Sequence, residues 1–76
     1  MTEYLIVTFH TTSEAMATER ACRQRDIQGK LIPVPRTLSA GCGIAWRCSP
    51  EFEEALNIVF QTQDIEWEDM TTMMLP

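Results

Sequence analysis

Residues 3–9, Glu-Tyr-Leu-Ile-Val-Thr-Phe, restrict the fold more than any other stretch of this chain. The run is short, apolar and rich in β-branched and aromatic side chains. Such a run reads as a strand buried on both faces, hence as a central strand of a sheet. The remaining elements must then supply neighbours on both edges.

His10-Thr11-Thr12-Ser13 ends this strand. Thr11 followed three residues later by Glu14 fits a capping box, which predicts a helix over 12–26. Ala15, Ala17, Ala21 and Cys22 lie near one side of it, and the small alanines let it sit close to a sheet. Cys22 reads as core. Gly29 is expected to cap the helix C-terminus. Lys30-Leu31-Ile32-Pro33-Val34 follows as a second strand. Pro33 lacks a backbone donor, so that strand belongs at an edge. Ile44-Ala45-Trp46-Arg47-Cys48 reads as a third strand. Ser49-Pro50-Glu51 starts a second helix over 50–62, with a serine cap, proline at the first position and acid in the first turn. Its apolar stripe is Phe52, Ala55, Leu56, Val59 and Phe60. Ile65 and Trp67 alternate with Glu66 and Glu68, which predicts a fourth strand there. Residues 70–76 read as a methionine-rich tail, open between wrapping a sheet edge, lining an interface and fraying as a flexible end.

The order β-α-β-β-α-β is the split βαβ, ferredoxin-like pattern of an α+β sandwich. It implies a four-stranded antiparallel sheet in the order 4-1-3-2, with both helices on one face. The core is expected to join Phe52, Leu56 and Val59 to Leu5 and to Val7 or Ile6. With 76 residues the chain reads as a single domain, 1–76, with a thin core.

The formal charge of −5 is unevenly spread: residues 1–47 balance at +2 and residues 48–76 at −7. An acidic total argues against a nucleic-acid partner, which needs a basic footprint. No apolar run reaches the ~20 residues of a membrane span, and the N-terminus shows no basic region ahead of an apolar stretch. Three cysteines do not form a disulfide framework, so a cytoplasmic, reducing compartment is expected. A homodimer through a sheet edge or the methionine-rich C-terminus is the self-association the pattern leaves room for.

The chemistry centres on Pro35-Arg36-Thr37-Leu38-Ser39-Ala40-Gly41-Cys42-Gly43. Cys42 stands between two glycines, with no Cβ on either side to shield the sulfur. Glycine allows φ > 0, and consecutive N–H groups in such a turn can converge on an anion. A thiolate is an anion and is the reactive form of cysteine. Arg36 adds a fixed positive charge. The topology brings this loop to the sheet end that holds His10, Thr11, Thr12 and the N-terminus of the first helix. That terminus offers N–H donors and partial positive charge, and His10 could shuttle a proton near neutral pH. The plainer readings are a tight Gly-Cys-Gly turn and an exposed histidine at a strand end. A zinc site is not expected: it needs four close ligands, and the chain has one histidine and no Cys-x-x-Cys pair. A Cys42–Cys48 disulfide would require the loop to fold back. Neither a paired-carboxylate nor a nucleophile-triad pattern occurs, so a free-standing enzyme is the least expected class.

The segment Pro-Arg-x-Leu-Ser-Ala-Gly-Cys-Gly-Ile-Ala, Pro35 to Ala45, resembles the signature of a small bacterial family of selenium/sulfur (Se/S) carrier-like proteins. The likeness extends through the opening strand to Phe9-His10 and the helix with Ala15 and Glu19. The resemblance implies a carrier with Cys42 at the family cysteine, loaded covalently as a persulfide or selenosulfide and served by protein donors and acceptors, without another cofactor. Arg36, Ser39, Gly41, Gly43, His10, Thr11 and Thr12 are the expected supporting residues. The chain lacks the Cys-Pro-x-Pro motif of other sulfur-relay carriers. The competing expectation is a non-catalytic protein-binding or regulatory module.

Overall fold

The computed structural model describes residues 1–38 and 41–76. The doubly apolar run becomes β1 (Thr2–Thr8), and the capping box opens α1 (Thr12–Gln24). β2 (Gly29–Pro33) and β3 (Ile44–Cys48) follow, then a 3-10 turn over Pro50–Phe52 that leads into α2 (Glu53–Thr62), and finally β4 (Asp69–Leu75). The sheet has four strands in the order β2-β3-β1-β4, with every neighbouring pair antiparallel. This is the 4-1-3-2 order of the ferredoxin-like sandwich, with β1 central and the Pro33 strand at an edge.

Both helices pack on one face. Leu5 and Val7 of β1 and Trp46 and Cys48 of β3 share a cluster with Ala15, Ala21 and Cys22 of α1 and Leu56, Val59 and Phe60 of α2. Strand alternation sends Ile6 to the opposite face, where it is nonetheless fully buried with Ala45 and Thr8. The Arg47 guanidinium lies 4.3 Å from the centre of the Tyr4 ring on that face.

The capping box forms as the spacing requires. Thr11 Oγ1 accepts from Glu14 N at 3.3 Å, and Glu14 Oε1 accepts from Thr11 N at 3.2 Å. The second helix starts differently from expectation. Ser49 makes no side-chain capping bond; its carbonyl accepts Phe52 N at 3.0 Å and the first turn is 3-10.

Two segments correct the sequence reading. The fourth strand is Asp69–Leu75, not the Ile65–Glu68 stretch, so the methionine-rich segment is a strand along the edge of β1. α2 ends at Thr62 and Asp64 takes a left-handed φ of 54°. Ile65–Trp67 is then needed to cross from the helix to the sheet, and pairing begins where Glu68 N donates to Thr8 O at 2.7 Å. The alternation of Ile65 and Trp67 is satisfied without a strand, because Ile65 packs on the core and Trp67 lies against Phe60. Methionine and threonine pair as a strand here because seven partners on β1 are waiting; context outweighs propensity.

The second correction concerns Gly29. α1 is capped at Arg25, whose N–H donates to Cys22 O, and Asp26 turns the chain with φ 57°. Gly29 instead opens β2, where a Cβ would fall 2.5 Å from both Arg47 O and Trp46 Cζ2. It is glycine because the Trp46 indole lies on it.

Candidate functional site

The β2–β3 connection carries Cys42. Val34 N donates to Gly43 O at 3.1 Å and closes the base of the loop, and Leu38 N donates to Pro35 O at 2.9 Å to form a turn at its start. Arg36 and Thr37 ride exposed on that turn. Gly43 adopts φ 76°, a conformation that suits glycine, and a Cβ there would have open space around it. Ser39 lies outside the described residues.

Gly41 is pressed against the β1–α1 junction: a Cβ would sit 3.1 Å from His10 O. The loop and the N-terminus of α1 therefore share one end of the sheet. Cys42 is half-buried, packed against the rim of the core, and its Sγ–H donates to Ile44 O at 3.2 Å. A thiolate has no proton for that carbonyl, so an ionising Sγ must give up this bond and turn away from it.

The neighbouring groups are engaged in ways the sequence did not reveal. Glu14 Oε1 accepts from both His10 N (3.1 Å) and Thr11 N (3.2 Å). The Glu14 carboxylate thus occupies two N–H groups at the helix entry and places its own negative charge there. Thr11 spends its hydroxyl on the cap, and Thr12 is the first helical residue. His10 Nδ1 lies 3.8 Å from Glu68 Oε1, an ion pair when the imidazole is protonated. Neither of the two salt bridges among the described residues involves Arg36. Spacing alone could not have placed Glu68 beside His10, since that contact depends on β4 pairing Asp69 with Thr8. Among the described residues no group of three or more His, Cys, Asp or Glu is placed to hold a metal, and no helix is long and apolar enough to cross a membrane.

The other two cysteines sit in the core between α1 and β3. Burial, with the nearby Cys48 adding to it and Arg25 opposing it, pushes the Cys22 thiol up to about 12. Burial also raises Cys48; the Trp46 indole opposes that rise, although its N–H lacks a partner with hydrogen-bond geometry. A thiol whose folded pKa is raised keeps its proton longer than in the unfolded chain. Its contribution to stability is therefore intact below about pH 9 and is lost as pH climbs toward about 12. Chemical denaturation from pH 8 to 11 should show a stability loss that is shallower in Cys22→Ala, by about 1.4 kcal/mol per pH unit at most. Parallel slopes in the two proteins would show that the Cys22 thiol ionises freely in the fold.

Comparison with known proteins adds one finding. A family model described as "Putative Se/S carrier protein-like" matches residues 4–72. No curated protein and no solved structure matches the chain. The match takes in most of β1, both helices, the Cys42 loop and the first part of β4, and so bears out the resemblance read from Pro35–Ala45. The chain belongs to the Se/S carrier protein-like family.

Proposed function

We propose that this protein carries sulfur or selenium on Cys42, taking it from a donor protein as a persulfide or selenosulfide and handing it to an acceptor. One observation carries the reading. Of the three thiols, Cys42 alone reaches the surface, while Cys22 and Cys48 are buried. Family membership supports the same reading.

The chemistry balances without an added oxidant. The Cys42 thiolate attacks the outer sulfur of a donor persulfide, R–S–SH. A new bond forms from Sγ to that sulfur, the donor S–S bond breaks, and the donor leaves as a thiolate. An acceptor thiolate repeats the attack on the outer sulfur and restores Cys42. With selenium, the outer atom is replaced and the bookkeeping is unchanged. The chain's own contribution is access. Open space beside Gly43 admits the attacking partner, the loop is held at both ends by backbone bonds, and Arg36 supplies positive charge on the approach. Between cycles the protonated thiol donates its hydrogen bond to Ile44 O.

Timed alkylation with iodoacetamide near neutral pH tests this. Cys42 should react at least about tenfold faster than Cys22 or Cys48 in the folded protein, and the difference should vanish in denaturant. Arg36→Ala should slow Cys42 more at low than at high salt, because an exposed charge is screened. A Cys42 as slow as the buried pair would remove the basis for a carrier and leave the binding module as the better reading.

A further inference from the structure

The face around Trp67 lies outside the Cys42 loop and has no role in the fold that requires its exposure. Trp67 is 38% exposed although one side of its ring is supported from within. Its ring lies 6.0 Å from that of Phe60 at an angle of 31°, and Phe60 in turn meets Phe9 edge-on at 6.4 Å. The indole is thereby propped at the surface. It walls an open groove of about 370 Å³ together with Asn57, Phe60, Gln61 and Ile65. Phe60 and Ile65 give it apolar lining, and Asn57 and Gln61, one helical turn apart, add side-chain amides.

Charge says what would fill it. Glu53 lies one turn before Asn57 on α2, and Glu66 and Glu68 flank Trp67 in sequence, with Asp64 and Glu66 lining a depression toward α1 and the Glu68 carboxylate facing His10. Residues 48–76 contain seven acidic residues and no Lys or Arg. Arg20 of α1 lines a neighbouring depression that shares Ile65 with the groove. An exposed aromatic ring on an acidic segment is a seat for a cation, since a guanidinium or ammonium is attracted to the ring face and by the net negative charge of residues 48–76.

The groove is also well placed. Glu68 N bonds Thr8 O, the Glu68 carboxylate faces His10, and the His10 carbonyl abuts Gly41. Trp67 and the Cys42 loop therefore flank the same end of β1. We propose that the Trp67 groove docks a basic segment of the transfer partner, with an Arg or Lys side chain on the indole, and so holds the partner's sulfur near Cys42. This rests on the carrier reading of Cys42, but its test does not.

The test uses the full chain as Cys42→Ser, which removes thiol transfer from the readout. The probes are a dye-labelled, capped peptide of alternating glycine and arginine and its glutamate counterpart, followed by fluorescence anisotropy. The arginine peptide should bind, about tenfold more weakly at high than at low salt, and the glutamate peptide should not bind. Trp67→Leu should weaken binding at least about fivefold and Trp67→Phe less, as the order of ring quadrupoles requires. Glu53→Gln, one turn from Asn57, should weaken it about twofold without touching the aromatic stack. Melting curves of each variant check the fold, and Glu53→Gln stands as the test if Trp67→Leu fails to fold. The proposal is overturned if neither substitution changes binding or if both peptides bind alike. It is overturned equally if sedimentation shows that Trp67 is covered by a second copy of the chain. If only this docking fails, Cys42 still outpaces the other thiols in alkylation; if only the carrier reading fails, the peptide still binds.

Discussion

Replacing Leu56 with alanine is expected to cost about 2–5 kcal/mol of stability. Leu56 is fully buried in the single cluster that joins both helices to β1 and β3. Truncation removes the transfer free energy of three carbons and leaves a cavity between α2 and the sheet. A domain of this size has a total stability of only about 4–11 kcal/mol, so the change removes a large share of it. Urea denaturation should show a lower midpoint with an unchanged slope. Ile58→Ala, on the same helix but 53% exposed, serves as the control and should cost under about 0.5 kcal/mol. A Leu56→Ala protein as stable as the Ile58 variant would mean that α2 does not present this face to the sheet.

Local signals carried most of the fold. β1 is central because its apolar residues fill both faces, and β2 is an edge because Pro33 cannot donate to a further strand. Thr11 and Glu14 close the cap that their spacing announces. The parts that were not legible depend on partners distant in sequence. Met70–Leu75 lacks a strong strand pattern and becomes β4 only because the open edge of β1 pairs with it. Gly29 looks like a helix cap until the Trp46 ring is seen to lie on it. Ile6 was an alternative to Val7 for the helix-side core, and strand parity sends it to the other face.

The site divides in the same way. Topology alone brought the Cys42 loop to the β1–α1 junction, and the contact of Gly41 with the His10 carbonyl is the observed form of that placement. Side-chain bonding at that junction was not legible. Glu14 was read as half of a capping box, yet its carboxylate also takes the His10 N–H. The loop N–H groups are expected to favour the Cys42 thiolate, and the protonated thiol donates a hydrogen bond to Ile44 O. Such choices turn on side-chain rotamers, which spacing does not encode.

The largest functional effect is expected from Cys42→Ser, which should abolish loading by a persulfide donor while leaving the fold intact. A hydroxyl lacks the nucleophilicity of a thiolate toward sulfane sulfur, and neither buried cysteine can replace Cys42. Trypsin separates the three thiols cleanly, since cleavage after Arg20, Arg23, Arg36 and Arg47 leaves each in its own peptide. The decisive measurement is to expose the native protein to glutathione persulfide, trap with an alkylating agent, and read all three peptides by mass spectrometry. The account predicts that the peptide with Cys42 gains the mass of one sulfur first, with the Cys22 and Cys48 peptides unchanged and no gain in Cys42→Ser. Equal labelling of the three, or labelling of Cys22 or Cys48 ahead of Cys42, would contradict it.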